Sequence, residues 1–203
     1  FQARVAALAV HCALVHVHEH GRGRVGLHVH ARVQNAVLVA FVQGAQVGYL
    51  AVLDALYDSG IESVVCRQEG GAAFMAEAHG KLTGRPGIAF VTRGPGATNA
   101  SAGVHVARQD STPMILFVGQ IARADRDRDA FQEVDYRAMF GPLAKWVAQI
   151  DQTERIPEYL SRAFHLAMSG RPGQVVLSLP EDMLSAHAEI RDQRPWAAPL
   201  SDV

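Results

Sequence analysis

The chain has 203 residues, of which 49% are hydrophobic and 19% charged, as expected for one globular domain of ordinary composition. Its net charge of −1 at pH 7 gives no electrostatic reason to expect nucleic acid or an anionic membrane as a partner. The two cysteines are too few for a disulfide framework, so we expect a cytoplasmic protein. The best membrane-span candidate, residues 5–17, is shorter than the roughly 20 residues that a spanning helix needs.

Residues 1–48 differ in composition from the rest of the chain. They contain 11 Val, 9 Ala and 6 of the 10 His, but no Ser, Thr, Asp, Lys, Pro or Ile. Five histidines, at positions 16, 18, 20, 28 and 30, alternate at strand spacing and would suit a metal site, although Glu19 is the single carboxylate near them. The segment is alternatively a His-rich opening strand and helix, or is not the native N-terminus. The missing residue types favour the last interpretation.

After residue 48, short apolar runs alternate with helix-like segments. The predicted strands are 61–66, 87–92, 113–119, 145–150 and 173–179, and residues 37–42 also keep a hydrophobic strand. The predicted helices are 49–57, 69–82, one that opens in the 93–99 segment and ends near 107, and 153–168. This order predicts an α/β fold, a doubly wound parallel sheet with helices on both faces. Ligands of such sheets bind beyond the carboxyl ends of the strands.

Details of three helices can also be predicted. Leu50, Leu53 and Leu56 are expected to form the apolar stripe of the first helix, and the pair at 74–75, Phe-Met, is interpreted as core. The helix at 153–168 is expected to begin with a capping box around residues 151 and 154. Residues 123–135 are predicted to form a charged loop, and the proline-containing tail is predicted to be a linker.

Glu69 stands directly after a predicted strand and at the start of a predicted helix. An acid at that position is common because it complements the helix dipole, so position alone favours a structural role. The two glycines that follow allow backbone or ligand to approach closely. The Gly94-Pro95-Gly96 loop likewise joins a strand to a helix, where free amides suit a polar or anionic ligand.

Several common motifs are missing from the sequence. A dinucleotide fingerprint would have a third glycine where Asn99 stands, and Asp110 comes too early to be the acid expected about 20 residues later. Neither a P-loop nor a G-x-S-x-G nucleophile elbow occurs. The isolated histidines after residue 48 are interpreted as structural or surface residues; they are His79, His105, His165 and His187.

A set of motifs resembles the acetolactate synthase-like, thiamine diphosphate-dependent enzymes and occurs in that family's order. The motifs are CRQEGGAAFMAEA (66–78), RGPGATN (93–99), DSTP (110–113) with GQ (119–120), FQE (131–133), RPGQVVL (171–177) and PED (180–182). The resemblance covers residues 49–184 and indicates the N-terminal pyrimidine-binding domain of these enzymes. The domains predicted from it are 1–48, an atypical segment; 49–190, the pyrimidine-binding domain; and 191–203, a linker or tail.

The resemblance implies thiamine diphosphate as cofactor and a role for each matched residue. Glu69 would hydrogen-bond N1′ of the aminopyrimidine ring and favour the imino tautomer, whose neighbouring nitrogen removes the proton from the thiazolium C2. The residues that would line the pyrimidine side of the pocket are Pro95, Gly96 and Asn99. Those that would face the substrate side are Phe131 and Gln132. No metal ligand in this chain is implied.

The sequence departs from the family at two places. The 43–48 loop (QGAQVG) lacks the proline that the family has before the helix at residue 49. In the family, a separate C-terminal domain with a Gly-Asp-Gly motif holds the diphosphate through a divalent metal such as Mg²⁺, and this chain has no such motif. FAD is compatible with the family, but no motif here indicates it.

The resemblance also implies partners for a parent enzyme. They are a 2-oxo acid or related small molecule, whose identity the motifs leave open, and a second subunit in a homo-oligomer that is at least a dimer. We therefore expect the N-terminal domain of a thiamine diphosphate-dependent carboligase or 2-oxo acid decarboxylase, inactive alone. A non-catalytic association domain or subunit of a split enzyme is the alternative, followed by a nicotinamide-binding domain.

Overall fold

The computed structural model describes residues 39–42, 49–57 and 61–189. The strands are β1 (Val39–Val42), β2 (Ser63–Cys66), β3 (Gly87–Val91), β4 (Met114–Gln120), β5 (Trp146–Gln149) and β6 (Gln174–Pro180). The α-helices are α1 (Leu50–Tyr57), α2 (Glu69–Thr83), α3 (Pro95–Asp110), α4 (Tyr136–Phe140), α5 (Ile156–Met168) and α6 (Glu181–Leu184). Every strand pairing is parallel, and the strands lie in the order β2-β1-β3-β4-β6-β5.

Helices cover both faces of this sheet. Successive strand side chains point to opposite faces, so each face has its own apolar core with the helices packed on it. In β3, Ile88 and Phe90 join a core with α1 and α5, whereas Ala89 and Val91 join a second core with α2, α3 and α4. A strand buried on both faces must be apolar throughout, which accounts for the unbroken run GIAFV. The predicted doubly wound α/β fold is confirmed.

Strand β1 lies between β2 and β3, so the chain reverses its direction across the sheet at this point. Val39 is paired with Ser63 of β2 on one side and with Ile88 of β3 on the other. The loops after β2 and β3 therefore flank the carboxyl end of β1, where open parallel sheets bind their ligands. Since β1 precedes residue 49, the sheet includes residues from both sides of the predicted domain boundary, which stays a prediction.

Helices α2 and α3 pack closely through small side chains. A methyl group on Gly103 of α3 would lie 2.6 Å from Cβ of Ala73 in α2, too close for anything larger than hydrogen. Alanines dominate the rest of this contact; they are Ala72 and Ala76 on α2 and Ala97 and Ala100 on α3, all fully buried. The close packing brings the N-terminal turns of the two helices together, and with them the residues discussed below.

The prediction that Phe74 and Met75 are core residues is wrong. Phe74 is 44% exposed and Met75 37% exposed, because α2 buries its alanine face instead. Val52 and Leu56 of α1 are buried, as is Tyr49 just before it, whereas Leu50 is 65% exposed, so the predicted leucine stripe holds only in part.

The predicted capping box of α5 is also wrong. A short 3₁₀ turn, Thr153–Arg155, precedes the helix, and no side chain caps either element. Asp151 instead accepts a hydrogen bond from Gln149 Nε2 at 2.6 Å. Among the described residues, no helix is both long and apolar enough to cross a membrane.

Candidate functional site

Glu69 and Asn99 meet where the first turns of α2 and α3 adjoin. Glu69 is the first residue of α2, directly after the N-cap residue Gln68, whose side chain accepts a hydrogen bond from the amide of Gly71 at 2.8 Å. Glu69 is half-buried, and its Oε2 accepts a 3.0 Å hydrogen bond from Nδ2 of Asn99. Two helices thus hold one carboxylate in a fixed orientation.

Gly96 forms the wall beside the other oxygen of this carboxylate. A methyl group at position 96 would lie 3.6 Å from Glu69 Oε1 and only 2.7 Å from Thr92 Cγ2. Within the described part of the chain, Glu69 Oε1 accepts no hydrogen bond. The site therefore presents a carboxylate oxygen next to backbone that bears no side chain, which suits a flat ligand with a ring nitrogen as hydrogen-bonding partner.

A buried tyrosine holds the loop that leads into α3. Gly94 has φ +52, a left-handed conformation that favours glycine, and its amide donates a 2.8 Å hydrogen bond to the hydroxyl of Tyr136. That hydroxyl donates in turn to the carbonyl of Gly119, at 3.1 Å. Burial raises the pKa of Tyr136 to about 12, so the hydroxyl keeps its proton at neutral pH.

An ion pair holds the same loop from another direction. Arg93 Nη1 lies 3.0 Å from Oε2 of Glu181, the first residue of α6. Since Arg93 follows β3 and Glu181 follows β6, the pair passes over the carboxyl end of β4, which separates these strands in the sheet. Both side chains are partly exposed, so the pair contributes little to stability.

The loop before α4 has an unusual backbone. Asp127, Asp129 and Gln132 all have positive φ, although none is glycine. The carboxylate of Glu133 accepts hydrogen bonds from the amides of Asp127 at 2.7 Å and Ala130 at 3.0 Å. These bonds, the one from Asp127 first, lower the pKa of Glu133. The loop is therefore held in one conformation by its own carboxylate.

The structure brings some of the predicted site residues together and leaves others apart. Glu69, Gly96 and Asn99 are in contact, and Pro95 begins α3 with an exposed side chain. Gln132 packs against Gly94: a methyl group on Gly94 would lie 2.9 Å from Gln132 Cβ. Phe131 is 81% exposed.

Sequence reasoning missed Tyr136, Thr92 and the partner of Arg93. Among the described residues, the hydroxyl of Tyr136 hydrogen-bonds to backbone atoms alone, at positions far from it in the sequence, and no motif spacing signals such contacts. The 43–48 loop and the histidines at positions 16–30 lie outside the described residues. Within the described residues, no group of three or more His, Cys, Asp or Glu could hold a metal ion.

The sequence was compared with known protein families. The profile of the family described as thiamine pyrophosphate enzyme, N-terminal TPP binding domain, matches residues 28–139, which is more than half of the chain. The chain belongs to this family. The match begins ahead of the predicted domain boundary at residue 49 and includes every residue of the Glu69–Asn99 site.

Curated relatives of this TPP-binding domain are acetolactate synthases. The chain is 38% identical over 166 residues to acetolactate synthase of Bacillus subtilis (strain 168), covering 82% of the chain and 29% of the relative. It is 45% identical over 140 residues to the large subunit of acetolactate synthase isozyme 3 of Escherichia coli (strain K12), covering 66% and 24%. The chain thus spans about a quarter of the length of these relatives.

The site fits the ring end of thiamine diphosphate. An aminopyrimidine is flat and bears ring nitrogens, and the site offers a carboxylate oxygen beside the bare backbone of Gly96. The second oxygen already accepts a hydrogen bond from Asn99.

Proposed function

We propose that this chain forms the aminopyrimidine-binding half of the thiamine diphosphate site of an acetolactate synthase-like carboligase or 2-oxo acid decarboxylase. The observation that supports this proposal best is the Glu69 carboxylate, whose Oε2 is held by Asn99 at 3.0 Å and whose Oε1, beside Gly96, has no hydrogen-bond partner among the described residues. An acid held in this way can exchange a proton with a ring nitrogen at a defined position.

Each residue has one task in this proposal. Glu69 binds the ring nitrogen and holds or releases its proton, while Asn99 keeps the carboxylate in the plane of the ring. Gly96 leaves room for the ring, and Pro95, at the start of α3, lies at the edge of the pocket. When bound, thiamine diphosphate supplies the electron sink for the carbanion that forms from a 2-oxo acid.

Phe131 and Gln132 are proposed to face the substrate. Phe131 is largely exposed, and the carboxylate of Glu133 holds the loop that presents it through two backbone amides. Gln132 packs beside Gly94, next to the loop that holds the pyrimidine-side residues. An exposed aromatic ring held on a rigid loop at the edge of a site is suited to contact a substrate or a second subunit.

The diphosphate end is proposed to be bound elsewhere, through Mg²⁺ in a C-terminal domain, since the described residues offer no metal site. A second copy of the domain is proposed to cover Phe74 and Met75, two exposed residues of α2 that lie in the turn after the one that begins with Glu69. An apolar pair on the helix that supplies the carboxylate would then place the cofactor between subunits of a homo-oligomer. A cytoplasmic location stays a prediction.

The test is Glu69→Gln in the full-length enzyme. We expect turnover to fall at least about 100-fold, since an amide cannot exchange the proton, while the protein stays folded. Glu62→Gln, an exposed acid before β2, is the matched control and should keep turnover near that of the parent. Near-normal turnover of Glu69→Gln would refute the assignment.

The second candidate function is a subunit of a split enzyme, in which a separate chain carries the C-terminal cofactor domain. The purified chain should show no turnover with thiamine diphosphate and Mg²⁺. Turnover that appears when it is mixed with a separately produced C-terminal cofactor domain would favour the split enzyme.

A further inference from the structure

One hydroxyl group joins two segments of the site that lie far apart in sequence. Oη of Tyr136 accepts from the Gly94 amide at 2.8 Å and donates to the Gly119 carbonyl at 3.1 Å. Gly94 follows β3, and Gly119 is the next-to-last residue of β4. The tyrosine thus fixes the distance between the carboxyl ends of two neighbouring strands.

Tyr136 is itself held firmly. It is the first residue of α4, and its N-cap residue Asp135 accepts hydrogen bonds from the amides of Arg137 at 2.9 Å and Ala138 at 3.1 Å. Its buried ring belongs to the core formed with α2 and α3, and lies 6.4 Å from the ring of Phe140. A side chain restrained at both its backbone and its ring transmits that restraint through its hydroxyl group.

The bond matters because of the conformation of Gly94. Its φ of +52 and ψ of −104 lie outside the helical region, so the hydrogen bond to Tyr136, rather than helix geometry, satisfies its buried amide. The three proposed pocket residues of α3 lie within the next turn and a half of the chain; they are Pro95, Gly96 and Asn99. Any shift of Gly94 would move these residues relative to Glu69, which belongs to a different helix.

We propose that Tyr136 is a positioning residue for the aminopyrimidine pocket: its hydroxyl holds the 93–99 segment, which leads into α3, at the distance from Glu69 that the ring requires. This inference rests on the proposed function. The Arg93–Glu181 pair also restrains this segment, but both of its side chains are partly exposed, so it cannot replace a buried hydrogen bond.

The experiment compares Tyr136→Phe with Tyr49→Phe in the full-length protein. Tyr49 is an equally buried tyrosine whose hydroxyl donates to the carbonyl of Val91, the last residue of β3, at 3.1 Å. Both variants therefore lose one buried hydroxyl near the same strand end, but only Tyr136→Phe releases Gly94. The measured quantities are the Kd values for thiamine diphosphate and for inorganic pyrophosphate, each with Mg²⁺.

We expect Tyr136→Phe to weaken thiamine diphosphate binding about tenfold and to leave pyrophosphate binding unchanged, since pyrophosphate lacks the ring. Tyr49→Phe should change neither Kd by more than about twofold. A general loss of structure would weaken both ligands together. An unchanged Kd for thiamine diphosphate in Tyr136→Phe, or an equal loss in Tyr49→Phe, would overturn the inference.

A second measurement covers the case in which Tyr136→Phe does not fold. In the parent chain, amide hydrogen exchange at Gly94 should be slow, as for an amide of the sheet, and exchange as fast as in an exposed loop would overturn the inference. This readout needs no cofactor. Failure of the proposed function would instead appear as a parent protein that binds no thiamine diphosphate or that does not depend on Glu69.

Discussion

The amide of Asn99 donates a hydrogen bond of 3.0 Å to the carboxylate of Glu69, across the contact between α3 and α2. The bond fixes one oxygen of the carboxylate and leaves the other facing the backbone of Gly96. A carboxylate at the start of a helix would otherwise rotate about its side-chain torsions, so the geometry of the site depends on a residue from a different helix.

Replacing Asn99 should therefore impair the site without unfolding the domain. We expect Asn99→Ala to lower kcat/KM of the full-length enzyme about 10- to 100-fold, the value of a hydrogen bond to a charged group. Ser101→Ala on the same helix is the control, because in the described part of the chain the Ser101 hydroxyl bonds the carbonyl of Thr98 alone. Equal kinetics of Asn99→Ala and Ser101→Ala would contradict the orienting role.

Adding a methyl group at Gly96 should destabilise the chain. The new Cβ would lie 2.7 Å from Thr92 Cγ2, and we expect Gly96→Ala to lower the free energy of unfolding by about 1 to 3 kcal/mol. The double variant with Thr92→Ser removes the clashing methyl group and should regain most of this loss. Urea denaturation of the three proteins measures both effects. No rescue by Thr92→Ser would show that another contact causes the loss.

The stability of the chain should decrease at alkaline pH. Burial raises the pKa of Tyr136 from 10.0 to about 12 and that of Tyr49 well above its usual range. A raised folded-state pKa means that the stability is complete below about pH 10, where tyrosine in the unfolded chain titrates, and is lost as the pH rises towards about 12. Tyr136 should account for on the order of 2 kcal/mol of this loss.

Urea denaturation at a series of pH values from about 8 to about 12 measures how the free energy of unfolding depends on pH. Tyr136→Phe should flatten the alkaline decline relative to the parent chain, because phenylalanine has no proton to lose. Tyr57→Phe, which removes an exposed hydroxyl, is the control and should follow the parent curve. Identical curves for all three chains would show that Tyr136 does not contribute to the decline.

A charge on the exposed face of α2 should weaken self-association of the full-length protein. Phe74→Lys places an ammonium group in the apolar pair that we propose a second subunit covers, and the dimer Kd should rise at least about tenfold. Sedimentation velocity measures the change. Tyr57→Lys changes an even more exposed aromatic residue on α1, across the sheet, and should leave association unaffected. The proposed interface is wrong if both variants associate like the parent.

Much of the fold could be predicted because buried strands and helix starts leave clear patterns in this sequence. The run GIAFV is too short and too apolar for a surface helix, and β3 ends within one residue of its predicted end. Helix α2 likewise begins at Glu69, as predicted from the strand that precedes this residue. Phe74 and Met75 were misjudged because hydrophobicity alone assigns large side chains to the core. In α2 the close approach of Gly103 selects alanine for burial instead.

The site could be predicted only where the contacting side chains belong to distinctive motifs. Glu69 and Asn99 belong to segments whose sequences are distinctive, so their roles could be expected from resemblance. The hydroxyl of Tyr136 bonds the backbone amide of Gly94 and the backbone carbonyl of Gly119, and nearly every residue offers such groups, so the residue types at these positions do not reveal the contact. The capping box of α5 was wrong because Asp151 is engaged by Gln149.

The Tyr136 bridge limits how this domain can be recombined with others. A chimaera that receives the 93–99 loop but keeps a foreign segment before β5 would import the pocket residues without the hydroxyl that spaces them. Conversely, Gly94 and Gly119 contribute backbone atoms to the bridge, one an amide and the other a carbonyl. For grafting, the transferable unit is therefore discontinuous: two strand ends together with one tyrosine from the first turn of α4.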